Sequence, residues 1–161
     1  MQLSPPDPNA RFDVANRMFL RLYQASNLLH KTGTKAVSAY GATTQQWAVL
    51  GALSRPGARE AGMTVKDLVR FLMVSRQNLS AVLDRLETAG HVERLRSEGD
   101  GRLRHVRLTL DGAATWAAMQ GDIRGYYATA LANFSTEEAV TLYRLLDRLR
   151  DSLAAVSTES E

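Results

Sequence analysis

Cysteine is absent from this chain of 161 residues. Its absence excludes a disulfide framework, a thiolate metal site, a cysteine nucleophile and regulation by cysteine oxidation. Long apolar runs are also absent, since none approaches the roughly 18–20 residues that a membrane-spanning helix needs. Residues 1–8 contain three of the four prolines and lack the basic start and apolar stretch of a signal peptide. We therefore expect a cytoplasmic protein with no membrane partner, in which residues 1–8 form a flexible arm.

The net charge of +3 is unevenly distributed along the chain. Residues 1–62 carry seven Lys or Arg against three Asp or Glu, and residues 63–110 carry nine against six. Residues 111–161 carry four against eight, so this last third is acidic. Arginine supplies 17 of the 20 basic side chains, and its forked guanidinium suits contacts to phosphates and guanine edges. A high-GC coding bias would produce the same excess of arginine, so the excess by itself does not indicate a nucleic-acid partner.

Apolar residues recur at three- and four-residue steps, a spacing typical of amphipathic helices. They predict helices over about 11–40, 44–54, 65–72, 76–89 and 111–131, and a last helix that begins after residue 135. Gly33 lies within the first helix, and glycine at that place leaves open an interruption of the helix there. A polar loop is expected between the second and third helices. Side chains that can accept a hydrogen bond from the first helical turn mark four helix starts as N-caps, namely Thr43, Thr64, Ser75 and Ser135.

Between the fourth and fifth helices the apolar period changes from helical to alternating. Val92–Arg96 and His105–Thr109 are predicted as two short strands, joined by a hairpin loop that contains glycine. No other β-structure is expected. Two short helices joined by a tight turn and followed by a hairpin describe a winged helix-turn-helix. The predicted fold is therefore mainly α, with about six helices and a two-stranded β-wing.

The second helix of such a unit enters the major groove of DNA, where residues near its amino terminus reach base edges. Here the outward-facing residues begin with Arg76, Gln77 and Asn78. Arginine can form two hydrogen bonds to guanine, and glutamine or asparagine can form two to adenine. The Ser75 hydroxyl and the helix amino terminus can contact phosphate. An ordinary solvated helix face is the alternative, and this helix taken alone supports the two about equally.

The predicted hairpin is unusually basic, because it carries Arg94, Arg96, Arg102, Arg104 and Arg107. Arginine on a narrow loop suits the minor groove of DNA, whose negative potential attracts it. Asp100 can brace Arg102 two residues further on. The alternative is a solvated basic edge that prevents aggregation between strands. With the helix pair before it, the hairpin favours DNA binding.

Several segments between Thr43 and Gly112 resemble the MarR family of bacterial transcriptional regulators, and the flanking helices fit the layout of the family over nearly the whole chain. The family usually shows Asp-Arg-Arg in the wing, whereas Gly101 replaces the middle arginine here. Asp100 and Arg102 keep their matching positions, so the resemblance assigns the wing-tip role to Arg102. Arg104 is a candidate to replace the missing contact. The segments that carry the resemblance are Thr64–Leu68, Val74–Leu79, Leu83–Gly90, Asp100–Arg102 and Val106–Thr109.

The resemblance implies one MarR-like domain over residues 1–161 that forms a homodimer and binds a pseudo-palindromic operator in double-stranded DNA. Residues 43–110 would form the DNA-binding lobe, and residues 9–42 and 111–156 the helical dimerisation region. No metal or other cofactor is implied. Together with the outward positions described above, the resemblance assigns DNA contacts to Ser75, Arg76, Gln77, Asn78, Ser80, Arg85, Arg96, Asp100, Arg102 and Arg104.

Aromatic side chains and a histidine lie near the expected hinge between the dimerisation region and the DNA-binding lobe. Members of the family commonly bind an aromatic or other anionic effector in that region. The segments 19–24, 30–34 and 43–47 are similar to members that control the breakdown of aromatic acids, some of which respond to an acyl-coenzyme A thioester. Plain core packing is the alternative for each aromatic residue. The predicted effector-binding residues are Arg21, Tyr23, His30, Lys31, Tyr40 and Trp47.

These patterns predict a ligand-responsive DNA-binding regulator, expected to be a repressor that an aromatic acid or its acyl-coenzyme A thioester releases. The alternatives are a transcriptional activator and a DNA-binding or architectural protein without an effector. An enzyme is not expected, because no lysine follows a glycine in a phosphate-binding loop. The histidines also form no cluster with carboxylates at metal-ligand spacing: His30, His91 and His105.

Overall fold

The computed structural model describes the backbone of residues 8–96 and 104–158, and side chains within 9–95 and 105–156. A 3-10 turn, Ser38–Tyr40, separates the first two helices. The order of elements confirms the predicted mainly α fold with a winged helix-turn-helix. In chain order these elements are α1 (Pro8–Ala36), α2 (Thr44–Leu53), α3 (Ala58–Ala61), β1 (Met63–Thr64), α4 (Val65–Leu72), α5 (Arg76–Thr88), β2 (Val92–Arg96), β3 (Arg104–Leu108), α6 (Leu110–Ala130) and α7 (Thr136–Thr158).

The expected counts of helices and strands need correction. The described residues form seven helices rather than six, because the polar stretch before β1 folds into the short helix α3. They form three strands rather than two, because β1 pairs with β3 and the sheet has the order β1-β3-β2. Met63 lies opposite Val106, and Thr64 lies opposite His105. A strand of two residues is too short to show the apolar alternation from which strands are predicted.

The first helix also differs from its expected length. α1 ends at Ala36, and Gly33 lies inside it without an interruption. Gly33 is buried, and a Cβ atom built on it would lie 2.5 Å from Thr44 Cγ2 and 3.4 Å from an indole carbon of Trp47. Because glycine has no side chain, α1 can lie directly against the start of α2 at this point.

The four predicted N-caps are confirmed. The Gln46 N–H donates to Thr43 Oγ1 at 3.3 Å, and the Thr43 N–H donates to Gln46 Oε1 at 2.8 Å. This reciprocal pair satisfies two backbone donors that the start of α2 would otherwise leave without a partner. A side-chain oxygen also accepts from the first turn of α4, α5 and α7, at Thr64, Ser75 and Ser135 respectively.

Helices α2, α4 and α5 share an apolar core with the sheet. The apolar residues of α5 recur at positions i, i+3, i+4 and i+7, a spacing that predicts an inward-facing stripe. The structure confirms it, since each member is at most 6% exposed: Leu79, Val82, Leu83 and Leu86. Burial of one such side chain stabilises the fold by about 1.5–3 kcal/mol. The stripe fixes the rotation of α5 about its own axis, and therefore decides which residues of α5 face outward.

The chain divides into two compact units, residues 1–123 and 124–161, with the boundary inside α6. In the first unit, α1 exposes large apolar side chains, including Phe12, Val14 and Phe19. In the second unit, α7 carries apolar side chains at helical spacing that are also exposed, with Leu142, Tyr143, Leu146 and Leu153 between 39% and 67% exposed. Within the described ranges, no helix combines the length and apolar character needed to cross a membrane.

Candidate nucleic-acid interface

A three-residue turn joins α4 to α5. Met73 has a φ of 55°, in the left-handed region that non-glycine residues rarely adopt, and its N–H donates to the Val69 carbonyl oxygen. Ser75 follows two residues later in an extended conformation and caps α5. A turn of this length between two short helices is typical of a helix-turn-helix.

The predicted contact residues on α5 and its cap are all exposed: Ser75, Arg76, Gln77, Asn78, Ser80 and Arg85. Their exposure follows from the buried stripe, because side chains at the other helical positions must point away from the core. Arg76, Gln77 and Asn78 occupy the first turn of α5. This face presents guanidinium, carboxamide and hydroxyl groups, which are the groups that contact base edges and phosphates in protein–DNA complexes.

Two of the hairpin arginines form ion pairs within the chain. The guanidinium of Arg94 lies 2.6 Å from Asp84 Oδ1 and 2.8 Å from Glu87 Oε2. Across the sheet, Arg107 Nε donates to Glu93 Oε1 at 2.6 Å. Both arginines belong to the basic set of the predicted wing, and their carboxylate partners were not predicted from the sequence.

Arg96 is the last residue of β2, and Arg104 is the first residue of β3. Arg96 and Arg104 are paired in the register of β2 and β3, and their side chains are outside the described residues. Asp100 and Arg102 are outside the described residues entirely. The bracing of Arg102 by Asp100 therefore stays a prediction.

Two predicted effector residues, His30 and Trp47, border the start of α2. His30 Nδ1 lies 2.9 Å from Thr44 Oγ1, and the Thr44 N–H donates to Thr34 Oγ1 at 3.1 Å. Trp47 is only 9% exposed, and its indole ring lies beside Gly33. Neither Thr34 nor Thr44 was predicted as a site residue, although both belong to the segments 30–34 and 43–47 that resemble regulators of aromatic-acid breakdown.

Tyr40 connects the turn after α1 to α6. Its hydroxyl donates to Asp122 Oδ2 at 2.8 Å and also lies 3.0 Å from the Ala118 carbonyl oxygen. The hydrogen bond to the Asp122 carboxylate, more than burial, raises the pKa of the Tyr40 phenol. Asp122 was not predicted, since no local pattern relates two residues that lie 82 positions apart.

The other three predicted effector residues are exposed along α1. Tyr23 is 67% exposed, two helical turns before His30. Arg21 donates to Gln24 Oε1 at 2.8 Å, within α1. Lys31 is adjacent to His30 in the sequence. In the part of the chain that the structure describes, no group of three or more acidic, histidine or cysteine side chains could hold a metal ion.

Comparison with known proteins agrees with this arrangement. The sequence model of the MarR family matches residues 40–103. The chain is 49% identical over 146 residues to the transcriptional activatory protein BadR of Rhodopseudomonas palustris, and the match covers 90% of this chain and 83% of BadR. It is 31% identical over 111 residues to the homoprotocatechuate degradative operon repressor of Escherichia coli, and the match covers 69% of this chain and 72% of the repressor.

A crystal structure of a probable transcriptional regulator from Pseudomonas aeruginosa has a TM-score of 0.74 at 28% identity, and the match covers 84% of this chain and 98% of that one. The family model names the MarR family, and the match to a transcriptional regulator at 49% identity extends over most of both chains. This chain therefore belongs to the MarR family.

Proposed function

We propose that this chain is a ligand-responsive transcriptional regulator that binds a pseudo-palindromic operator in double-stranded DNA. The observation that carries the proposal is the start of α5, where Arg76, Gln77 and Asn78 are exposed directly after a three-residue turn. Residues 43–110 form the DNA-binding lobe in this proposal, and the predicted contacts of α5 and the wing bind the operator. Because the partner is chromosomal DNA, we place the protein in the cytoplasm.

The proposed regulator acts as a homodimer held together by residues 9–42 and 111–156. Large apolar side chains on α1 and α7 support this, since several are more than 60% exposed: Phe12, Val14, Tyr143 and Val156. Removing apolar surface from water contributes about 25 cal/mol per Å², so these side chains favour association with a second copy. A two-fold dimer would present two α5 helices about 34–36 Å apart, which is one turn of DNA.

Selection from a random-sequence DNA pool tests this function. The full chain is expected to enrich an inverted repeat whose half-site centres lie about 10–10.5 base pairs apart. Footprinting and mass photometry should then show one dimer that protects both half-sites equally. A pool that stays random after selection would contradict sequence-specific binding and favour an architectural protein. A single protected half-site with one bound chain would contradict the homodimer.

Repression is the sign of control that we propose, and the relative named as an operon repressor supports it. Activation is the second candidate, because the relative that shares 49% identity is named a transcriptional activatory protein. Transcription in vitro from a promoter that carries the selected operator separates the two. Adding the protein lowers transcript yield under repression and raises it under activation.

An aromatic acid, or its acyl-coenzyme A thioester, is the proposed effector, bound near the start of α2. His30 and Trp47 border this position and supply an imidazole and an indole ring. The name of the 31%-identical relative refers to homoprotocatechuate, which is itself an aromatic acid. A ligand can release DNA only if it binds the DNA-incompetent conformation more tightly than the competent one. The other proposed effector contacts are Arg21, Tyr23, Lys31 and Tyr40.

Effector binding is expected to quench the fluorescence of Trp47 and to weaken operator binding about 5–150-fold. Titration with a panel of aromatic acids and their thioesters, with and without operator, measures both effects. By linkage, the operator must weaken effector binding by the same factor. His30→Ala is expected to abolish release while operator affinity stays near that of the wild type. A joint loss of operator affinity and thermal stability would instead identify His30 as a packing residue.

A further inference from the structure

Arg94 connects the wing to the recognition helix α5. Its guanidinium lies within 2.8 Å of two carboxylates, those of Asp84 and Glu87, which are one helical turn apart on α5. The side chain of Arg94 is 23% exposed, whereas those of Asp84 and Glu87 are 64% and 42% exposed. A planar guanidinium that binds two carboxylates at once is fixed in direction as well as in distance.

The position of Arg94 in its strand explains why it reaches the helix. Side chains alternate between the two faces of a strand, so Arg94 shares a face of β2 with Val92, which is 2% exposed. Glu93 points to the opposite face, where it pairs with Arg107 of β3. The Arg107–Glu93 pair therefore joins two strands of the wing to each other, while Arg94 joins the wing to α5.

We propose that Arg94 is a positioning residue for operator binding: it holds the wing at a fixed place relative to α5, so that both reach the same operator half-site together. This inference rests on the proposed function, in which α5 and the wing contact DNA. Arg94 itself points at Asp84 and Glu87 and touches no DNA in this proposal. Its contribution is the fixed geometry of the two elements that do, since binding groups held in place lose less conformational freedom on binding.

For the two carboxylates, simple electrostatics and the positioning role predict opposite changes in DNA affinity. Asp84 and Glu87 place two negative charges on a helix that would lie against phosphates. Neutralising them should strengthen DNA binding if charge alone mattered, because it removes repulsion. If they position the wing through Arg94, neutralising them should weaken operator binding even though the repulsion is gone. The sign of the effect therefore separates a positioning role from a charge effect.

The test measures the affinity of two full-length variants for the operator and for unrelated DNA. One is the double variant Asp84→Asn, Glu87→Gln, and the other is Arg94→Ala. Fluorescence anisotropy at several salt concentrations measures affinity and its salt dependence. Each variant is expected to bind the operator about tenfold more weakly, equivalent to about 1.4 kcal/mol. The double variant should bind unrelated DNA at least as tightly as the wild type. Arg94→Ala should keep the salt slope of the wild type, whereas Arg102→Ala should lower it by about one unit if a phosphate contact is lost.

Two further variants complete the test. One asks whether the three residues act through a single contact, and the other asks whether losing a different ion pair of the wing has the same effect. The triple variant Asp84→Asn, Glu87→Gln, Arg94→Ala should lose no more affinity than the double variant, because all three residues act through one contact. Additive losses would mean that the carboxylates and Arg94 act independently of each other, and would overturn the proposal. Glu93→Gln, the matched control, breaks the Arg107 ion pair but leaves the link to α5 intact, so its operator affinity should match the wild type.

If the double variant binds the operator as tightly as the wild type or more tightly, the positioning role is also overturned. Failure of the proposed function looks different, since the wild-type chain would then select no operator at all. All the substituted groups are at least partly exposed, and circular dichroism of each variant checks that the fold is retained. Arg94→Lys should recover part of the lost affinity, because an ammonium group can still bind one of the two carboxylates.

Discussion

Replacing Gly112 by alanine is expected to lower the free energy of unfolding by about 3 kcal/mol, the upper end of the usual cost of overpacking. A Cβ atom on Gly112 would overlap the backbone carbonyl group of His91. That carbonyl cannot easily move aside, because its oxygen accepts a hydrogen bond from the Thr109 N–H at 3.1 Å. Thr109 is itself held, since its Oγ1 donates to the Gly90 carbonyl and accepts from the Gly112 N–H. The end of α5, the start of β2 and the start of α6 meet in this cluster, so the strain would spread to all three.

Gly121→Ala supplies the matched control, since it adds the same methyl group to the same helix. A Cβ atom on Gly121 meets nothing within 4 Å. Alanine is preferred over glycine inside a helix by about 0.5–1 kcal/mol, so this variant should be slightly stabilised. Urea denaturation followed by circular dichroism measures both changes, after mass photometry has shown that both variants keep the oligomeric state of the wild type. Equal stabilities for the two variants would mean that α6 can shift away from His91.

Local features of this fold were predictable from the sequence because their causes are local. An N-cap and its partner are three residues apart, so Thr43 with Gln46 could be recognised without any knowledge of the fold. The buried stripe of α5 was equally visible, since helical periodicity repeats within a few residues. From that stripe, the exposed positions of Arg76 and Gln77 follow directly.

Features that depend on distant residues were not predictable in the same way. Strand β1 exists because β3, some 40 residues later, offers it an edge, and nothing in Met63–Thr64 alone indicates a strand. The same limit applies to Arg94. The sequence shows a basic residue on a wing strand and therefore suggests DNA, but the structure places carboxylates of α5 against it. Which arginine faces DNA and which one supports the fold is decided by tertiary contacts.

Replacing Arg76 or Gln77 by alanine is expected to weaken binding to the selected operator by about 1–3 kcal/mol and to relax the base preference at the contacted position. Both side chains are exposed in the first turn of α5, so their removal leaves the core unchanged. The loss should be specific, because a side chain that forms two hydrogen bonds to a base discriminates against the other bases. A residue that contacts only phosphate would weaken binding to all sequences by a similar factor.

The measurement is the affinity of each variant for the selected operator and for operators with single base changes in each half-site. For Gln77→Ala, one base position is expected to become nearly indifferent, while the other positions keep their penalties. Arg59→Ala on α3 is the matched control for Arg76→Ala, because it removes the same charge from an exposed residue outside α5 and the wing. It should lose little affinity and no base preference. If Arg76→Ala and Gln77→Ala both kept wild-type affinity and base preference, α5 would not be the helix that reads the operator.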